Sequence, residues 1–191
     1  MLPPSEISFA PPQEFTAEER ALLLQSAHEA ILGAIQRLPS AMESTSPHLS
    51  EPRGVFTTLY LKSALRGCVG YPMAAVPLHR AVVETAIAAA FEDPRFPPVT
   101  LVEATGLKIS LSVLAPLQAV SAETVEVGKH GLVVSQGECR GLLLPQVAIE
   151  HGWDRATFLE QTCRKAGLPL DAWRKGARIE VFTAEVFGDE L

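Results

Sequence analysis

The hexapeptide Leu65-Arg66-Gly67-Cys68-Val69-Gly70 holds the residues best equipped for chemistry in this chain. If the segment is extended, Arg66 and Cys68 are two apart and point to one face. A guanidinium beside a thiol favours the thiolate, which makes Cys68 a candidate nucleophile and Arg66 a candidate anion ligand. Gly67 and Gly70 bear no side chains, so a ligand or another backbone can come close there. The plainer alternative is that Cys68 is a small buried hydrophobe and Arg66 a surface charge.

A second group lies at Glu92-Asp93-Pro94-Arg95-Phe96. Asp93 and Arg95 flank a proline that fixes the local backbone, which suits a rigid clamp for an anion or carboxylate. The alternative is an Asp-Pro turn with Arg95 paired to a neighbouring carboxylate. His79 and Glu84 fall on an otherwise apolar helical run, on different faces. A buried Glu84 would be a tuned acid or base, whereas Arg80 at i−4 offers it an ordinary surface pair.

Several other machines are absent from the sequence: no GxxxxGK(S/T) phosphate loop, no GxGxxG after a strand, no HExxH and no CxxC. The five histidines are scattered and none pairs with another His or Cys at ligand spacing, so neither a metal nor a cofactor is predicted. Two GxxG tetrapeptides, 67–70 and 128–131, sit at strand ends rather than between helices as an RNA clamp requires. Trp153, Phe158 and Trp173 read as core anchors, because no basic run interleaves with them.

The elements that must position these residues follow from periodicity. Residues 1–15 carry four of the 15 prolines and read as a flexible leader, with one domain over 16–188. Thr16 and Glu19 have the spacing of a capping box, and helical spacing continues to about Arg37. The Ser/Pro-rich stretch 39–52 is a loop. Gly54–Leu61 and Ala64–Val69 read as strands, Pro77–Phe91 as a buried helix ended by Asp93-Pro94, and Leu107–Leu114 as an alternating, half-buried strand. Val125–Val127 and Leu132–Val134 flank Gly128-Lys129-His130-Gly131 as an expected hairpin, and Gly141–Leu144 as a further short strand. A short helix follows Pro145, and a clearer one runs from Asp154 to Lys165. The chain closes on Ile179–Phe187 as one strand. The class is α+β: an antiparallel sheet flanked by helices, with a second small lobe.

Composition bounds the partners. Hydrophobic residues make up 47% and charged residues 20%, which is globular, and the net charge of −6 argues against broad nucleic-acid or anionic-membrane binding. The longest uncharged stretch, Ile109 to Ala122, is 14 residues, too short to span a bilayer. With no signal-peptide pattern at the start and an odd, sparse set of three cysteines, the expectation is a cytoplasmic protein with free thiols.

The hexapeptide resembles the LRGCIG signature of the AMMECR-one domain, known in prokaryotes as AmmeMemoRadiSam system protein A, with Val in place of Ile. Asp93-Pro94-Arg95-Phe96, the run 141–148 and Cys163-Arg164-Lys165-Ala166-Gly167-Leu168 followed by Trp173 match in the same order. The resemblance covers about Thr16 to Phe187. It implies a compact α+β protein with a second small lobe, and a pathway shared with Memo-like and radical-SAM partner proteins. Two functions stand side by side at this point. One is an enzyme or enzyme component acting on a small anionic or modified substrate in a cleft around the hexapeptide, with Cys68 and Glu84 catalytic and Arg66, Gly67, Gly70, Asp93 and Arg95 binding. The other is a non-catalytic module or adaptor presenting the same segment to a partner protein or RNA.

Overall fold

A computed structural model describes residues 13–38 and 46–190. Of the expected leader, Phe15 is buried and the Glu14 backbone N–H donates to Glu185, while residues 1–12 lie outside the described residues. So do residues 39–45 of the Ser/Pro loop.

The elements run α1 (Ala17–Gln36), β1 (Val55–Leu61), β2 (Ala64–Tyr71), α2 (Leu78–Phe91), α3 (Leu101–Ala104), β3 (Leu107–Leu114), β4 (Gln118–Ala119), β5 (Gly131–Gln136), β6 (Cys139–Leu143), α4 (Pro145–Glu150), α5 (Arg155–Lys165), β7 (Arg178–Phe182) and β8 (Ala184–Gly188). They form two antiparallel four-stranded sheets, β2-β1-β3-β8 and β4-β7-β5-β6. The second sheet, with α4 and α5, is inserted between β3 and β8 of the first, so the α+β class and the second lobe both hold.

In the first sheet, Val55, Thr57 and Leu59 of β1 and the alternate residues Leu107, Ile109, Leu111 and Val113 of β3 are buried in the core made with α1 and α2. Thr57 crosses to α2 through a 2.7 Å hydrogen bond to Thr85. The α1 start is the capping box read from the sequence, with Glu19 N–H donating to Thr16 Oγ1 at 3.2 Å and Thr16 N–H to Glu19 Oε2 at 3.0 Å. In the second sheet, Leu132, Ile179 and Val181 face α4 and α5, while Val133, Phe182 and Leu142 face the first sheet. There they pack with Phe56, Leu114 and Leu144 as a small core between the sheets.

Two strand expectations are corrected. Val125–Val127 is not a strand: Lys129 and His130 N–H both bond the Glu126 carbonyl, closing a local turn, and Val125 is buried in the core under α5. The hairpin is instead β5–β6, closed by the two-residue turn Gly137-Glu138. The run Ile179–Phe187 is also two strands rather than one. The chain leaves the second sheet after Phe182 and enters the first at Ala184; both halves are rich in β-branched and aromatic residues, and nothing in that composition says that they join different sheets.

Glycine sets how closely α2 lies on the first sheet. A Cβ on Gly67 would collide with the Ala89 carbonyl oxygen of α2, so helix and strand are in backbone contact there. Gly67→Ala is expected to cost about 1–3 kcal/mol, the usual penalty of overpacking. Gly33→Ala in α1, where the new methyl meets only Leu38 O at 3.6 Å, should hold or raise stability. Urea unfolding of both variants checks the contrast.

Candidate functional site

β2 is an edge strand, and its outer side is closed locally by the residues after α2. Asp93 is 5% exposed. Its Oδ2 accepts the Cys68 backbone N–H at 2.9 Å and Arg95 Nη2 at 2.6 Å, while Oδ1 accepts Arg95 Nε at 2.9 Å. The turn read at Asp93-Pro94 therefore does two jobs: it caps an open strand edge and orients a guanidinium bidentately. The Arg95 bonds, opposed by burial and helped by the Cys68 N–H, hold the Asp93 carboxyl well below the usual range. Arg95 is raised in turn by Asp93, and it also senses the Cys68 thiol.

Arg66 departs from the spacing argument. The β1–β2 register skips it, with Leu59 opposite Gly67 and Tyr60 opposite Leu65, so Arg66 is the extra residue of a β-bulge. Its guanidinium goes to Glu103 of α3, at 3.0 Å from Nε, rather than to the thiol. Glu103 is lowered to about 2, first by Arg66 and then by Thr100. Nη1 of Arg66 is buried without a hydrogen-bond partner among the described residues. Phe96 lies near both guanidiniums, 6.0 Å from Arg66 and 5.4 Å from Arg95. Arg66, Cys68, Asp93 and Arg95 thus form one neighbourhood, with Glu103 as a member the sequence reading did not single out. The Thr100-x-x-Glu103 capping box was the available signal.

Cys68 is half-buried, and among the described residues its sulfur has one hydrogen-bond partner, Thr58 Oγ1 at 3.4 Å. Glu84 is not at this end of the sheet. It pairs with Arg80 at 2.7 Å and touches Tyr71, whose hydroxyl is pushed up by burial and then by Glu84. About nine helical residues, roughly 14 Å, separate Glu84 from Asp93. His79 donates to the Leu49 carbonyl at 3.0 Å, away from the thiol. Of the other cysteines, Cys139 is exposed, and Cys163 is buried with its thiol pushed up by that burial.

Gly70 lies two residues beyond Cys68 on the same sheet face, opposite Phe56, whose ring occupies the space a Gly70 Cβ would need. Both residues line a groove of about 530 Å³ between the sheets. Pro72 and Met73 extend that wall. Residues 140–144 form the facing wall, with Lys165 of α5 beside them. Gly141 is demanded by α5, since a Cβ there would collide with the Ala166 N. Among the described residues, two cations, Arg140 and Lys165, and no acid line the groove. Arg140 reaches Glu180 at only 3.8 Å. Among the described residues no group of three or more His, Cys, Asp or Glu is placed to hold a metal, and no helix is long and apolar enough to cross a membrane.

Residues 24–187 match the AMMECR1 family profile. The chain belongs to the AMMECR1 family. A Methanosarcina barkeri protein is 44% identical over 164 residues, covering 81% of both chains, and a Methanopyrus kandleri protein is 42% identical over 190 residues, covering 93% of this chain and 92% of the other. The crystal structure of PH0010, an uncharacterized protein from Pyrococcus horikoshii, superposes with a TM-score of 0.78 at 39% identity, covering 93% and 95% of the two chains. PH0010 has the same fold, so the two-sheet architecture is that of an AMMECR1 protein known by crystallography.

The Asp93 cluster generates a pH test. Both Asp93 and Glu103 have folded pKa values below their unfolded ones, so their stabilisation is present above pH 4–5 and lost as pH falls through the folded values. Asp93→Asn should therefore be less stable than the parent at pH 7, with the gap narrowing as pH drops below about 4. Urea midpoints measured across that range check it.

Proposed function

We propose that this AMMECR1 protein is a binding component that holds an anionic ligand in the groove between its sheets. The Gly70 end of the hexapeptide forms one wall, and the Arg66–Asp93–Arg95 cluster braces the strand that carries it. The observation that carries this reading is the charge of the groove: Arg140 and Lys165 with no acid among the described lining residues, on a chain of net charge −6. Positive charge concentrated in one concavity of an acidic protein favours a small anion over an extended polyanion such as RNA.

A nucleophilic Cys68 needs a base or a bare cation beside the thiol. Among the described residues its sulfur meets only the Thr58 hydroxyl by hydrogen bonding, Arg66 is engaged by Glu103, Arg95, the cation that senses the thiol, is neutralised bidentately by Asp93, and Glu84 lies elsewhere. That favours the non-catalytic reading, with chemistry left to partner proteins. The Memo-like and radical-SAM partners rest on the family resemblance.

Calorimetric titration with citrate and with inorganic phosphate tests the proposal. Lys165→Glu and Arg140→Glu should each weaken binding by about tenfold or more, the effect of losing a charge-assisted contact. Cys68→Ser should leave it unchanged. Loss of binding in Cys68→Ser with retention in Lys165→Glu would move the site to the thiol and restore the enzyme reading.

A further inference from the structure

The groove has a shape that its charge alone does not explain. All five residues from 140 to 144 line it. In a strand, consecutive side chains point to opposite faces, and here they do: Gly141 and Leu143 lie under α5 and α4, whereas Leu142 and Leu144 join the core between the sheets. Residues of both faces can line one groove only if it runs along the strand's edge, past the backbone itself.

β6 is the terminal strand of its sheet, so that edge is open. The turn fixes which backbone groups face it. With a two-residue turn, the flanking pair Gln136–Cys139 exchanges hydrogen bonds, and so do Val134–Gly141 and Leu132–Leu143, every second pair along the ladder. Arg140 and Leu142 belong to the pairs in between, so their N–H and C=O groups point away from β5 and into the groove. No hydrogen bond to either amide exists among the described residues. Of the devices that blunt natural edges, β6 has short length and one charge, Arg140, but residues 139–143 contain no proline and pair in continuous register without a bulge.

We infer that the groove takes an extended acidic peptide segment that adds to β6 as a fifth strand, pairing with the backbone of Arg140 and Leu142. The inference rests on the anion-binding reading above and names its ligand class. Charge complementarity selects the occupant: Lys165 on the α5 side favours acidic side chains, and Phe56, Met73 and Leu142 on the other side favour apolar ones, with Arg140 at the open end of the Leu142 face adding positive charge there. A strand alternating acidic and apolar residues satisfies both sides at once. Its apolar residues share the face of Leu142, so their amides, and not those of the acidic residues, bond to β6.

The probe is a short acetylated and amidated peptide alternating glutamate and valine, titrated calorimetrically into the full chain beside citrate. N-methylation of the valine amides should weaken binding about tenfold or more, while N-methylation of the glutamate amides should change it little. Bound peptide should also slow hydrogen exchange at the Arg140 and Leu142 amides. Binding indifferent to valine N-methylation, or without protection of those two amides, overturns strand addition. Citrate binding without peptide binding overturns it as well and leaves the small-anion reading standing. Peptide binding without citrate binding upholds strand addition and removes the small-anion reading.

Discussion

One backbone hydrogen bond, from Ala115 N–H to the Thr183 carbonyl at 2.9 Å, marks where the chain leaves the first sheet and where it returns. Everything between belongs to the second sheet and its helices. Because exit and re-entry are tied side by side, the second sheet can approach the first from one direction only. Phe56, Val133, Leu142, Leu144 and Phe182 then fill the wedge next to that tie. The groove is what remains of the wedge further out, where the β6 edge no longer meets β2. Its walls come from distant parts of the sequence, yet their separation is fixed by a contact that neither wall makes.

The hexapeptide looks different in this setting. Gly67 is required by the carbonyl of Ala89, Gly70 by the ring of Phe56, and the Cys68 amide is the edge group that Asp93 closes. Arg66 fills a bulge and secures α3 through Glu103. Three of these roles are packing or edge-capping roles, so much of the segment's residue choice is explained before any ligand is considered. Arg66 Nη1 stays outside this account, buried and without a hydrogen-bond partner among the described residues.

Local physics was legible in the sequence. The Thr16–Glu19 box, the helix read from Asp154 to Lys165 and the alternation of 107–114 needed only near neighbours, and each forms as read, Asp154 serving as the cap of α5. What failed depended on pairing. The bulge at Arg66 exists only relative to β1, and the split of 179–187 exists only because its two halves pair with different sheets. The same divide holds at the site. Asp93 and Arg95 are two residues apart, and what forms is the alternative read there, an Asp-Pro turn with Arg95 paired to a neighbouring carboxylate, that carboxylate being Asp93 itself. Arg140 and Lys165 face Gly70 only after both sheets are assembled, and no spacing in the sequence encodes that.

The inserted topology also bears on assembly. Pairing β8 with β3 in an otherwise unfolded chain closes a loop of about seventy residues, a connection that slows folding. Once the second sheet has formed, its two ends lie within one hydrogen bond and the effective loop shrinks to a few residues. That is four to five halvings at about 0.6 kcal/mol each, so roughly 3 kcal/mol of closure entropy moves out of the β8 step. The smaller lobe therefore acts on the larger one as an internal splint: once folded, it lowers the closure cost of seating β8, and with it the Glu185 and Phe187 contacts that hold Glu14, Phe15 and Arg20.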